Sequence, residues 1–510
     1  MGHGTSGTVS SPEVRTTSGV VRGRRAGGIS VFRGIPFAAP PVGALRLAAP
    51  RAAPPWDGVR PALDPGPPPP QSGVLGVPVD SRGDDWLTLD VWTPDPQPGV
   101  GLPVLVWVPG GGYLFGYGGL PEYDGTNLAR GGTVVVTVSY RLGLEGFGQV
   151  DGAPPNRGLL DVVAALEWVR DNVSAFGGDP DSVTAAGQSA GGGVVASLLA
   201  MPRAAGLLRR AVVQSMPGVF LSTGLAADVA AACASVLGVR ASRADLARVV
   251  PARLAAAVDT VSAVAPWIDR WGLVTHRPTP VAPVVDGDVL PTTPWRALAS
   301  GAGRGVGLLA GHTRDEHRLF SLLDGDLGSV TRDRSDRALD VLAPAPQGAD
   351  GYRVGFPDLP PEGLHELVES DWLFRMPSQH LAEAQVAGGG HAHLFELTWP
   401  APGLGGGLGA CHGLDVPLVF GNLSGTQPAA LLGDVVDPAA LDLSARMLSA
   451  WTTFVHDGDP GWPAYDTEAR LTRVFDVPTA VRAYPEEVSR ALWADHAFDP
   501  LPLLGPTGPS

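Results

Sequence analysis

Short uninterrupted apolar runs alternate along the chain with longer segments of helical period. Pro103-Val104-Leu105-Val106-Trp107-Val108 and Thr133-Val134-Val135-Val136-Thr137-Val138 read as strands buried on both faces. Leu159 to Val169 keeps Leu159, Val162, Val163, Leu166 and Val169 on one stripe, which predicts a helix. Ser182 to Ala186 reads as strand, the small-residue segment from Gly192 as helix, and Ala211 to Gln214 and Val306 to Ala310 as further strands. Strand–helix–strand alternation of this kind predicts an α/β fold with a mostly parallel sheet and helices on both faces.

Between these elements, Pro65 to Pro78, with four prolines at 67–70, reads as a surface loop. Residues 221–275 are Ala-rich and predict a helical excursion from the sheet, near the mouth of any site at its edge. Gly403 to Gly409 forms a flexible lead-in to His412, and residues 1–13 and 501–510 read as loose tails. No segment separates as a linker and no internal repeat stands out, so 1–510 reads as a single domain.

Composition removes several chemistries. The 36 basic residues are all arginine, for the chain contains no lysine. It therefore forms no lysine Schiff base and completes no Walker phosphate loop or kinase lysine site. A net charge of −15 disfavours nucleic acid and anionic membrane as partners. No run approaches ~18 consecutive apolar residues, so no transmembrane helix is expected. The polar start lacks the apolar run of a signal peptide, which points to a cytoplasmic protein or one whose leader has been removed. Cys233 and Cys411 are the only cysteines; buried free thiols are expected rather than a disulfide, and no Cys-based metal motif exists.

Gly187-Gln188-Ser189-Ala190-Gly191 matches G-x-S-x-G, a weak signal in a chain with 69 glycines. A Gly-rich turn with a helix-capping serine fits the same letters. Its context is more telling, because a short strand enters and a helix of small residues leaves, the setting that thrusts a serine hydroxyl out at a sheet edge. Pro109-Gly110-Gly111-Gly112-Tyr113 follows the strand at 103–108, and its bare glycines let amides point inward. An acyl-transfer site needs such donors, each worth about 3 kcal/mol. Gly111, Gly112 and Ala190 are the candidates. An activated serine also needs a histidine and a carboxylate. Of 11 histidines, His412 stands on a glycine-flanked loop, with His391 and His393 as competitors. Gly311-His312-Thr313-Arg314-Asp315-Glu316 follows a strand, and Asp315 and Glu316 are equal candidates for the acid. His391-Ala392-His393 lacks an evident third metal ligand, so no metal and no cofactor is expected.

Together these segments resemble the type B carboxylesterase family, the group that includes bacterial para-nitrobenzyl esterases and the cholinesterases. The likeness spans about residues 14 to 480. It runs through Val31 to Gly43, Leu87 to Pro94, Ser139 to Gly143 and the long stretch Asn156 to Gly192, and continues in Gln214-Ser215, Pro283 to Gly287, Thr313 to Glu316 and the His412 loop. The resemblance implies an α/β-hydrolase fold, with a large twisted central sheet flanked by helices. It implies Ser189 as nucleophile, Glu316 as acid and His412 as base, with oxyanion donors at Gly111, Gly112 and Ala190. Ser215 matches a position that supports the acid, and Tyr113, Phe115 and Tyr117 are candidates for pocket lining or support.

The implied activity is hydrolysis of small to medium hydrophobic or aryl esters, with ester and water as partners and a monomer or homodimer as the assembly. The same triad would also serve a transacylase, a lactonase or a biosynthetic cyclase. A non-catalytic cholinesterase-like binding protein is disfavoured because all three side chains are present. The sequence departs from the family at Pro109, where His or Tyr is usual, and at Trp86, where a disulfide cysteine is usual. Asp84 replaces a glutamate that would pair with Arg46, and Gln188 replaces the common glutamate before the nucleophile.

Overall fold

The computed structural model describes residues 11–71, 73, 83–263, 268–276 and 279–505. Its centre is an eleven-stranded sheet. We number the strands β1 (Arg24–Ala26), β2 (Ile29–Pro36), β3 (Thr88–Thr93), β4 (Leu102–Val108), β5 (Val134–Val138), β6 (Gly178–Gln188), β7 (Arg210–Gln214), β8 (Gly307–Thr313), β9 (Ala392–Leu397), β10 (Leu471–Phe475) and β11 (Ala480–Ala483). The spatial order is β11-β10-β9-β8-β7-β6-β4-β5-β3-β2-β1. All pairings from β10 through to β5 are parallel, and the strands outside them run antiparallel.

Alternation explains why the inner strands are apolar throughout. Val104, Val106, Val108, Val134, Val136, Ala185 and Val213 join the core on one face, whereas Leu105, Trp107, Val135, Ala186, Val212 and Leu309 join the core on the other. The helix Arg157–Asn172 turns Leu159, Val162, Leu166 and Val169 into the first core, as its period predicts. Trp86, where the family has a cysteine, fills that core with its indole.

The helix Ala190–Ala200 is fully buried, although its sequence AGGGVVASLLA is poor in helix-forming terms. Space is the reason. A Cβ at Gly191 would lie 2.1 Å from the Val108 carbonyl oxygen, and one at Gly192 would lie 2.8 Å from that of Gln214. Only glycine lets this helix begin directly against the ends of β4 and β7.

Residues 221–275 contain the helices Thr223–Val236 and Pro251–Ser262, which pack on each other. The second also packs on the short helix Gly143–Phe147, whose Gly143 amide donates to the Tyr113 carbonyl at 2.7 Å. The excursion therefore leans on the loop that follows β4.

Two expectations need correction. The loose reading of the ends does not hold at 12–13 or 501–504: Glu13 pairs with Arg22, Leu501 exchanges backbone bonds with Phe220 and Ser222, and the Leu504 amide donates to the Arg270 carbonyl. Residues 1–10 and 506–510 lie outside the described residues. The proline-rich segment is not purely a surface loop, for Pro69 and Pro70 are buried and Gln71 accepts the Gly116 amide at 3.0 Å; residues 72 and 74–78 lie outside the described residues. Arg46 pairs with Glu145 at 2.5 Å and not with Asp84. Among the described residues, no helix is long and apolar enough to cross a membrane.

Behind the sheet, Arg141 and Asp161 form a buried bidentate pair with contacts of 2.6 and 2.8 Å, and the same carboxylate accepts the Arg141 amide at 3.0 Å. Asp161→Asn leaves the guanidinium without its charge partner and is expected to cost about 3–5 kcal/mol in urea unfolding. A loss under about 1 kcal/mol would show that the pair is dispensable.

Candidate active site

The strands that carry the site end level with one another. Val108 pairs with Gly187, Gln188 with Gln214, and Gln214 with Gly311. The ladder then continues one step past the strands. The Ser189 amide donates to the Gln214 carbonyl at 2.9 Å, and the Ser215 amide to that of Gly311 at 2.8 Å. The Asp315 amide donates to the Ala410 carbonyl at 2.9 Å, and the Ala410 amide returns a bond to the Asp315 carboxylate at 2.8 Å. The turns at 189, 215, 315 and 410 are thus gathered at the carboxyl edge of the sheet, where α/β folds place their sites.

Ser189 takes φ +58 and ψ −129, outside the ordinary regions for a side-chain-bearing residue. Such strain marks a turn that the surroundings hold in place. A Cβ at Gly187 would sit 2.5 Å from Gly191, so strand and helix can meet this closely only with glycine there. The sequence signal for a sharp strand-to-helix turn is met.

The loop after β4 curls beside it. Gly111 has φ +122, and a Cβ there would lie 2.1 Å from the Phe115 carbonyl oxygen. Among the described residues, none of the Gly111, Gly112 and Ala190 amides donates to another protein group. Pro109 is held through its carbonyl, which accepts the Tyr140 hydroxyl at 2.8 Å. Tyr113 is buried, its ring 5.0 Å from Phe147. Phe115 and Tyr117 are only partly buried.

On the other side of the serine, His412 Nδ1 lies 2.5 Å from Glu316 Oε2, and both side chains are buried. Glu316 Oε1 accepts the Thr313 amide at 2.8 Å. Burial alone would raise the Glu316 carboxyl, but His412, Ser215 and His312 outweigh it and hold the group below the usual carboxylate range. With the glutamate ionised, Nδ1 carries the proton and Nε2 the lone pair. The Nε2 partner is the Gln188 side-chain amide at 3.2 Å rather than the Ser189 hydroxyl. Serine–histidine bonds of resting sites often close only around substrate.

The candidates left open by spacing are separated by this geometry. Glu316 meets the imidazole, while Asp315 ties the His412 loop to the strand end. His393 packs near Phe454 and Trp462, and exposed His391 lies at the start of β9. Cys233 and Cys411 are free and buried, each pushed up to about 12 first by burial.

Two features escaped sequence reasoning. Phe374 stacks on the His412 ring with centroids 4.1 Å apart, and Phe320 lies 5.3 Å away. Neither belongs to a motif, so only the fold reveals them. Asp415, three residues past the histidine, is fully buried; burial first and Glu316 second push its carboxyl up to about 6. Its Oδ2 accepts the Gln214 amide at 2.6 Å, and Trp451 donates to the other end of that amide at 2.9 Å. Among the described residues, His317, His365 and Glu369 are the one group whose donor atoms gather as a metal site would require, within 4.8 Å of one another. His317 Nε2 lies 3.8 Å from Glu369 Oε2.

Comparison with known proteins agrees with the geometry. Residues 10–343 match the model of the carboxylesterase family. The chain is 37% identical over 494 residues to the para-nitrobenzyl esterase of Bacillus subtilis, covering 94% of this chain and 97% of that protein. It is 33% identical to the phenmedipham hydrolase of Pseudarthrobacter oxydans over 479 residues, covering 90% and 93% of the two chains. The fold superposes on a crystal structure of a Geobacillus stearothermophilus carboxylesterase with a TM-score of 0.83 at 33% identity, covering 94% of this chain and 99% of that one.

Asp415 makes a pH prediction. A carboxyl raised from 3.8 to about 6 stabilises the fold fully below its unfolded value, and that contribution is lost as pH rises through about 6. Asp415→Asn should therefore gain stability relative to the parent by about 2 kcal/mol between pH 4 and pH 7. Parallel unfolding curves for the two proteins across that range would contradict it.

Proposed function

The chain belongs to the carboxylesterase family and hydrolyses carboxylic esters, and from that premise we propose that Ser189, His412 and Glu316 carry the reaction. The observation that supports this most is the buried 2.5 Å contact between His412 Nδ1 and Glu316 Oε2 at the sheet edge that also holds the strained Ser189 turn.

The Ser189 hydroxyl adds to the ester carbonyl while His412 Nε2 takes its proton. Glu316 fixes the tautomer through Nδ1 and stabilises the imidazolium. Negative charge collects on the former carbonyl oxygen, which the Gly111, Gly112 and Ala190 amides receive. The carbon–oxygen bond to the alcohol then breaks, and His412 returns its proton to the leaving alkoxide. Water repeats the sequence on the acyl-serine: His412 takes a water proton, hydroxide adds, and the acid leaves as Ser189 regains its proton.

Small to medium hydrophobic or aryl esters fit this site best. Phe320 is half-buried beside His412, and Phe115 follows the amide loop. The relatives named for para-nitrobenzyl and phenmedipham substrates support the same class.

Turnover of p-nitrophenyl esters by variants tests the assignment. Ser189→Ala should lose roughly 10⁴–10⁶-fold in kcat with the fold intact. Glu316→Gln should cost far more than Asp315→Asn, since the latter only loosens the 410 loop. Ser189→Ala activity above about a thousandth of the parent, or the reverse order of the two acids, would overturn the roles.

A further inference from the structure

We propose that Phe374 is a positioning residue for His412: carried on a π-turn behind the site, its ring holds the face of the imidazole and stabilises the cation that forms during acyl transfer. This rests on His412 being the base.

The turn has a local cause. Residues 361–387 form a nearly continuous helical segment, interrupted by π-helix at Asp371–Arg375, where the Met376 amide reaches back five residues to the Asp371 carbonyl. Pro377 follows. Its ring lacks an N–H and crowds the carbonyl four residues earlier, that of Leu373. The freed Leu373 carbonyl accepts the Gly218 amide at 2.8 Å. Gly218 lies three residues past Ser215, so the chain leaving the end of β7 also pins the widened turn. π-turns of this kind recur at functional sites.

The turn is fastened from behind as well. Arg375 Nε meets Asp371 Oδ1 at 3.0 Å, and its Nη2 meets Glu486 Oε2 at 2.6 Å. The Tyr352 hydroxyl donates to Asp371 Oδ2 at 2.9 Å. These buried contacts fix the turn and with it the position of Phe374.

The imidazole's two nitrogens are engaged in its own plane, by Glu316 at 2.5 Å and Gln188 at 3.2 Å. Neither bond resists tilting of the ring. Phe374 covers the face that they leave, with centroids 4.1 Å apart and planes 30° apart. Phe320 packs beside both rings, 5.7 Å from Phe374 with planes 15° apart and 5.3 Å from the imidazole. The charged groups that face the imidazole are Glu316, from the strand-end turn, and Asp415, from its own loop. Gln188 is neutral, and Phe374 and Phe320 bring no charge. An aromatic face carries the negative lobe of its quadrupole, so it attracts imidazolium more than neutral imidazole. The contact therefore strengthens as His412 takes the serine proton, which is the behaviour that accelerates a reaction.

Steady-state kinetics of Phe374→Leu and Phe374→Tyr with p-nitrophenyl acetate, from pH 5 to 9, provide the test. Leucine keeps the bulk and loses the quadrupole. Its kcat should fall about threefold with KM within twofold, and the acid limb of kcat/KM should move about half a unit to lower pH. Tyrosine should restore both. A leucine variant that raises KM alone, leaving kcat and the acid limb in place, would make Phe374 a wall of the substrate pocket and overturn the proposal. Circular dichroism checks folding. Should the leucine variant not fold, ring-fluorinated phenylalanine placed at 374 drains the face while keeping its shape; kcat must then fall with fluorination, and an unchanged kcat overturns the proposal. His412→Ala separates the two readings. If that variant stays active, the role of His412 fails; if it is inactive and the Phe374 series is silent, only this inference fails.

Discussion

The arrangement depends on one constraint: adjacent parallel strands stop at the same level, and their hydrogen-bond ladder runs one residue further into the turns. The amide of Ser189 on Gln214 and that of Ser215 on Gly311 are rungs of a sheet that has already ended. Each turn is fixed by its neighbour rather than by its own sequence. That is how Ser189 can hold φ +58, a conformation costing on the order of 1–3 kcal/mol, without a local partner to compensate it.

A second consequence is that polar groups collect in a place water does not reach freely. Glu316, Asp415, Asp371 and Arg375 are all buried. They are tolerable because each is engaged: Glu316 by His412 and the Thr313 amide, Asp415 by Gln214, Arg375 by two carboxylates. The two acids nearest the imidazole respond in opposite directions. Glu316 is held low because it faces His412, whereas burial first and the Glu316 charge next push Asp415 up against the opposing bond from Gln214. Two carboxyls close together thus keep distinct protonation behaviour.

Much of this was legible in the sequence, for identifiable reasons. The inner strands could be read because both faces are buried and the apolar run is unbroken; the helix after Ser189 could be read because crowding excludes all but small residues. The chemistry-bearing turns carry glycines that a tight backbone requires. What stayed hidden depends on contacts between distant segments. Spacing left Asp315 and Glu316 equal, since only the return of the 410 loop decides which carboxylate meets the imidazole. Phe320 and Phe374 look like ordinary core positions until the π-turn brings one of them onto the histidine. The burial of Pro69 and Pro70, and the anchoring of Leu501 and Leu504, were missed because proline content and terminal position say nothing about what a segment covers.

The pairing of Leu501 with Phe220 and Ser222, together with the bond from Leu504 to Arg270, joins the latest part of the described chain to both ends of the helical excursion. Synthesis proceeds from the other end. Ser189 and the amide loop leave the ribosome long before these residues do, as does the whole excursion beside them. By then the excursion is already tied to earlier chain, through Asp151 on Ala241 and Arg243 and through the Arg243 guanidinium on the Ala44 and Arg46 carbonyls, and the segment at 501–504 adds later fastenings at its two ends.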